Sequence, residues 1–429
     1  MKFDNQLRYA STIIASYRGE IPLHAWLKDF FREHKQMGSK DRKLVSSLVY
    51  GFYRLGHAVR DMPVDERLLL GLFLCNGSSG EFLQYFRPEW NGHAGRPLEE
   101  KIAMVSGWGG PGRPGESGAP AGSGGPDNGI GFRVTDIFPW KDELSPGIDH
   151  FSFCLSFLRQ PDLFLRIRPG HEKGVLEKLD RQKLQPGSSD PQSPGTGKVP
   201  DRAAFIPPFT LRLPNGFKVE EYFTPDKEVV VQDYSSQRLA PFLQLPPSLS
   251  FWDACAASGG KSILAFDLNP GINITVSDIR ESILRNLRQR FRQAGIKKYN
   301  SFVADLTAGL DSTGPHPALL SQDLILADVP CTGSGTWSRT PEELYFFDPV
   351  QISRYNEWQK KIVLQTIPYL SKGAYFVYST CSVFRKENEE IVNVIQLSST
   401  LRSERVEQIK GYEEKADSMF AARLVNYDR

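Results

Sequence analysis

Three successive strand-length runs in the C-terminal half of this chain end in an aspartate, and that repeat limits the fold more than any other feature. They are Ile274-Thr275-Val276-Ser277-Asp278, residues 301–304 followed by Asp305, and Leu324-Ile325-Leu326-Ala327 followed by Asp328. An earlier run, Ser250-Phe251-Trp252-Asp253-Ala254, passes into Cys255-Ala256-Ala257-Ser258-Gly259-Gly260-Lys261-Ser262. A helical pattern over residues 281–294 separates two of these strands. Strand, turn and helix in regular alternation predict an open α/β sheet, which binds ligands at the carboxyl ends of its strands. Any one aspartate reads equally well as a turn residue; three in succession do not.

The glycine pair Gly259-Gly260 follows a strand, so a ligand can approach backbone amides at a helix start. The pattern is neither Gly-x-Gly-x-x-Gly nor Gly-x-x-x-x-Gly-Lys-Ser, so dinucleotide and ATP binding are not favoured. Asp278 lies about twenty residues further on, where a ribose diol is held. The third acid opens Asp328-Val329-Pro330-Cys331-Thr332-Gly333-Ser334-Gly335-Thr336-Trp337. Pro330 stops the strand, and the glycines permit a tight turn. By itself this is equally a buried strand, a turn and an inert cysteine. A second thiol, in Ser379-Thr380-Cys381-Ser382, ends another apolar run, and two thiols on neighbouring strand ends face one pocket.

At 429 residues, 24% charged and 40% hydrophobic, the chain has material for two or three cores. Net charge is only +2, so a nucleic-acid partner has to be met by local basic patches. The five cysteines and seven histidines show no metal spacing. A reduced, cytoplasmic, soluble protein with no bound metal and no membrane span is expected, and a monomer.

Residues 5–75 carry helical faces: Leu7, Ala10, Ile14 and Tyr17; Trp26, Leu27, Phe30 and Phe31; Leu44, Leu48, Val49 and Phe52. Lys40, Arg42, Lys43 and Arg54 cluster near one helix start and suggest a surface for RNA phosphates, although any single charge reads more simply as a solvated face. Residues 108–131 and 186–200 are rich in Gly, Pro and Ser and predict loose insertions. The expected organisation is a helical domain over 1–158, a small α/β connector over 159–228 and a catalytic α/β domain over 229–429. Within the connector, strands are expected at 163–168, 217–220 and 228–232, with a helix from 172 to 184.

Asp253 to Lys261, Asp328 to Gly335 and Tyr378-Ser379-Thr380-Cys381-Ser382 together resemble the RsmB/Sun-type RNA cytosine-C5 methyltransferases. Val231-Gln232-Asp233-Tyr234-Ser235-Ser236-Gln237 and Lys386-Glu387-Asn388-Glu389-Glu390 agree with that family. The resemblance is strong over about 229–429. It is weaker over the first 160 residues, which resemble the family's NusB-like helical domain. One departure is Ser258, where the family usually has proline, so the loop backbone is freer.

The resemblance implies a Rossmann-like S-adenosylmethionine-dependent methyltransferase that forms 5-methylcytosine. Cys381 is then the nucleophile that adds to C6, and Cys331 assists release of the methylated product. Asp328 holds the cytosine edge, and Lys261 either pairs with Asp328 or lowers a neighbouring thiol pKa. Cys255, Ala256, Ala257, Ser258, Gly259, Gly260 and Lys261 cradle the cofactor, with Asp278 at the ribose, Asp305 at the adenine and Asp328 bordering the site. Ribosomal RNA is the expected partner, small-subunit RNA first, with transfer RNA open. A methyltransferase acting on amines has no need of paired thiols. A non-catalytic ribosome assembly factor on the same fold has no need of both cysteines and all the strand-end acids.

Overall fold

The computed structural model describes residues 2–106, 131–181, 210–244, 246, 248–308, 319 and 321–427. The insertion expected at 186–200, and that at 108–131 up to residue 130, lie outside the described residues. The chain divides into two units. One comprises Met1–Lys141, Asp149–Gln160 and Trp337–Phe347; the other comprises Asp142–Ile148, Pro161–Thr336 and Asp348–Arg429.

The first unit is helical, with helices Lys2–Ser16, Leu23–Glu33, Ser39–Arg54, Val64–Cys75 and Leu98–Ser106 among its elements. The helix Ser39–Arg54 starts where Asp41 Oδ2 accepts the Gly38 amide at 3.2 Å. Its buried stripe is Val45, Leu48, Val49 and Phe52, one position round from the expected Leu44. The helix packs on Val64–Cys75 through two glycines: a Cβ on Gly51 would lie 2.8 Å from the Gly71 carbonyl carbon. In the first helix Ile13, rather than Ile14, joins Leu7, Ala10 and Tyr17 in the core.

The basic cluster is smaller than expected. Lys40 and Lys43 are exposed and Arg42 is half-buried. Arg54 is buried, and its guanidinium donates to the Phe157 and Arg159 carbonyls at 2.8 and 3.1 Å and to Gln160 Oε1. It caps the backbone of residues 157–160 and is no part of a phosphate-binding face. Desolvation, the main cost of this position, lowers its pKa.

In the second unit, β1 (Leu163–Ile167), β2 (Thr210–Leu213) and β3 (Val229–Val231) form an antiparallel sheet in the order β2-β1-β3. Val175 and Leu179 of the helix Glu172–Arg181 pack on Leu165, Ile167, Leu211 and Leu213. Residues 217–220 are not a strand. They form a turn leading into a single 3-10 turn, Val219–Glu221, after Gly216 reverses the chain at φ 85°.

The large sheet holds β4 (Ser250–Asp253), β5 (Asn273–Asp278), β6 (Tyr299–Val303), β7 (Gln322–Asp328), β8 (Leu370–Thr380), β9 (Leu401–Ile409) and β10 (Met419–Asn426). Their order is β6-β5-β4-β7-β8-β10-β9. Pairs from β6 through β8 are parallel, and β10 is antiparallel to both β8 and β9. Alternating residues feed opposite cores. Phe251, Leu324 and Leu326 pack with Leu284, Leu287 and Phe291. Trp252, Ile325 and Ala327 pack with Ile362, Val363 and Ile391. The chain order reverses on either side of β4, so its carboxyl end, between those of β5 and β7, lines the crevice where such sheets bind ligands.

Candidate active site

The β4 carboxyl end turns through Ala254 to Gly259 into the helix Gly260–Leu268. Gly259 has φ 82°, and a Cβ there would lie 2.8 Å from Phe291 Cε1 and 3.0 Å from Leu287 Cγ. Only glycine fits that turn against the helix Glu281–Gln293. Ala256 donates to the Ser277 carbonyl at 2.9 Å, and Ala257 donates to Asp278 Oδ2 at 3.0 Å. Asp278 Oδ1 takes the Arg280 amide at 2.9 Å and its Nε at 3.2 Å.

Asp253, whose burial at this loop was not foreseen, accepts Ser262 Oγ at 2.6 Å through Oδ2. Its buried Oδ1 has no hydrogen-bond partner among the described residues. Burial pushes this carboxyl up to about 7; the Ser262 hydrogen bond opposes the rise and neighbouring Asp328 adds to it. Asp305 lies two residues beyond β6 and accepts the Thr307 hydroxyl at 2.6 Å and the Thr307 amide at 2.9 Å, which hold its pKa down.

At the end of β7, Asp328 Oδ2 receives Lys261 Nζ at 2.5 Å and Oδ1 receives Ser379 Oγ at 2.6 Å. One carboxylate thus joins the helix that follows the β4 loop, β7 and β8. Burial would lower the Lys261 ammonium, but Asp328 and Cys381 outweigh it and hold it above its ordinary value. Cys381 and Cys331 are half-buried as residues. Burial of the sulfur pushes the Cys381 thiol up to about 12. Lys261 opposes this, and Asp328, Asp417 and Asp233 add to it. Cys331 is also held well above the ordinary range, by burial first and then by Glu387 and Cys381. Lys261 therefore does pair with Asp328. Its charge draws the Cys381 thiol down, and burial outweighs it. Cys255 is raised by burial too, and behaves as a small apolar residue of the loop.

Backbone bonds bring the two cysteine loops together: Gly335 donates to the Cys381 carbonyl at 2.9 Å, and Ser418 donates to the Gly335 carbonyl at 2.8 Å. A Cβ on Gly335 would lie 2.0 Å from the Ser418 oxygen, so any side chain there forces the loops apart. Glu387 adds a clasp. Its buried carboxylate accepts the Thr332 amide and hydroxyl at 2.9 and 2.6 Å, Ser382 Oγ at 2.5 Å and Gln359 Nε2 at 3.0 Å. Thr332 follows one cysteine and Ser382 follows the other. Asn388 supports the second loop, accepting Thr380 Oγ1 at 2.6 Å and donating to the Ser382 carbonyl at 3.0 Å. Residues 386–390 carried only a resemblance in sequence; their spacing gave no sign of this clasp. Glu387→Ala strands several buried donors and is expected to destabilise the unit by about 3 kcal/mol. Urea denaturation checks this, and a loss under about 1 kcal/mol means that the loops are held without Glu387.

Residues 240–424 match the family described as 16S rRNA methyltransferase RsmB/F. A probable ribosomal RNA small subunit methyltransferase B of Bacillus subtilis is 30% identical over 185 residues, covering 43% of this chain and 40% of that protein. The ribosomal RNA small subunit methyltransferase B of Proteus mirabilis is 27% identical over 236 residues, covering 54% and 51%. The chain spans about half the length of the curated relatives it matches. Among solved structures, PH0851 aligns with TM-score 0.61 at 15% identity, over 92% of this chain and 93% of that one. NSun6 from Pyrococcus horikoshii with SFG aligns with TM-score 0.50 at 16% identity, over 65% and 94%. The likeness to these solved structures is one of fold.

Proposed function

We propose that the chain, whose residues 240–424 match the RsmB/F methyltransferase family, is a member of that family and methylates C5 of a cytosine in ribosomal RNA. Small-subunit RNA is the first candidate, because that substrate names the curated relatives. The observation that carries the reading is the pair of cysteines, Cys331 and Cys381, on two loops clasped together by Glu387 and Gly335, with the Lys261–Asp328 pair at the same strand ends.

The residues around the loop after β4 fit S-adenosylmethionine. Gly259 and Gly260 leave room for close approach, the orphaned Asp253 oxygen offers an acceptor to an ammonium, and Asp278 Oδ2, which takes only the Ala257 amide among the described residues, has a lone pair left for a ribose hydroxyl. Asp305 and the segment Cys255–Lys261 complete the cradle. The bound cofactor supplies an electrophilic methyl group.

Cytosine C5 is a weak nucleophile. Cys381 gives up its proton to solvent and adds to C6 as the thiolate, which moves the C5–C6 π pair onto C5, and C5 then takes the methyl group. At the base's N3 and N4 edge Asp328, which Lys261 and Ser379 hold in place, accepts from the N4 amino group, and the Lys261 ammonium offsets the negative charge that develops on the ring. Loss of the C5 proton re-forms the double bond and expels the Cys381 sulfur, and Cys331 assists that elimination. A paired base is out of reach in a duplex, so the target is unstacked or single-stranded. The N-terminal helices, read as a NusB-like module with exposed Lys40 and Lys43, supply phosphate contacts.

Bisulfite sequencing of total RNA from cells with and without the protein tests this reading. One ribosomal cytosine should resist conversion only when the protein is present. An unchanged map over all ribosomal and transfer RNA would overturn it.

A further inference from the structure

Ser258 lies between two residues with left-handed backbone, Ala257 at φ 45° and Gly259 at φ 82°. Alanine resists that conformation because its Cβ crowds the neighbouring carbonyl, so the loop needs outside contacts to stay in it. One contact is the Ala257 amide on Asp278. The other is Arg290, whose Nη1 donates to the Ser258 carbonyl at 3.1 Å and to Ser258 Oγ at 2.9 Å. The serine hydroxyl thus recovers, through a hydrogen bond, some of the rigidity that a proline ring would have given.

Arg290 is itself gripped from behind. Its Nε and Nη2 reach the two oxygens of Asp226 at 2.9 and 2.7 Å, a bidentate ion pair in which Asp226 is buried. The Asp226 carbonyl accepts Arg168 Nη1 at 2.9 Å. Arg168 follows β1, and its Nε and Nη2 reach Asp267 Oδ1 at 3.1 and 2.6 Å. Asp267 stands on the helix Gly260–Leu268, which the same loop begins. The contacts form a ring: loop, Arg290, Asp226, Arg168, Asp267 and back to the helix after the loop.

We propose that Arg290 and Asp226 are positioning residues through which the connector sheet sets the shape of the cofactor loop, and with it the affinity for cofactor. Both act through the loop: Arg290 on Ser258 and Asp226 on Arg290. The inference rests on the reading of this loop as the S-adenosylmethionine site, and it gives the connector a task within that site. A merely structural ion pair would raise stability without changing affinity per folded molecule.

Calorimetry with S-adenosylmethionine on the full chain, below the unfolding temperature of each variant, separates the two. Arg290→Ala should weaken binding by about tenfold or more, with Asp226→Asn and Arg290→Lys falling between it and the wild type. Ser258→Ala should cost affinity alone but add little on top of Arg290→Ala, because both act through one contact. Should Arg290→Ala not fold, Asp226→Asn and Arg290→Lys carry the test. Full affinity in these variants with a lowered melting temperature overturns the clamp. No binding by the wild type overturns the cofactor assignment, and the clamp with it.

Discussion

Cys331→Ala is expected to accumulate a protein–RNA complex that survives denaturing electrophoresis, whereas Cys381→Ala should form none. Without Cys381 no sulfur bond to C6 can form, so RNA and cofactor bind but neither adduct nor product appears. Without Cys331 addition and methyl transfer proceed, and elimination stalls; turnover should fall by about 10²- to 10⁴-fold, the usual weight of a lost proton-transfer group. The opposite outcomes are informative because the two loops are tied to each other by Gly335, Thr332, Ser382 and Glu387. If the cysteines were only packing, both variants would lose a small, similar amount of stability through a minor cavity. Adduct trapped by Cys381→Ala instead would reverse the roles. No adduct in either variant, with wild-type methylation intact, would remove the covalent route.

The Cys381 thiol, pushed up to about 12 chiefly by burial, should be almost wholly protonated at neutral pH. Below such a pKa the thiolate fraction rises about tenfold per pH unit. Alkylation of Cys381 by iodoacetamide, read by peptide mass spectrometry, should therefore climb from pH 7 to pH 10 without a plateau. The Lys261 ammonium is the main pull in the opposite direction. Lys261→Met should raise the thiol further, slow alkylation at every pH, and reduce methylation by about 10²-fold as a positioned charge is lost. Among the described residues it also leaves Asp328 with only Ser379 as a hydrogen-bond partner. A plateau near pH 8.5, or alkylation of the Lys261 variant at the wild-type rate, contradicts this electrostatic account.

The sequence by itself determined the local grammar of the C-terminal half. Residues 274–278 and 324–328 are strands ending in acids, residues 281–293 form a helix, and Gly259 makes a turn that tolerates no side chain. Each follows from neighbours within a few positions: period-2 runs, a 3.6-residue face, glycine where φ is positive. The outer pair of strands, Leu401–Ile409 and Met419–Asn426, went unread. Along the edge strand most side chains are exposed, so charges interrupt the apolar pattern. Only the tertiary structure decided which distant residues meet. Arg54 looked like a surface cation, but the backbone of residues 157–160 covers it. Glu387 reaches back 55 residues to Thr332, and Arg290 reaches 64 residues to Asp226. Those partners are chosen by the order of strands in the sheet and by the requirement that buried charges and donors be satisfied. Neither condition is written in any local window of the chain.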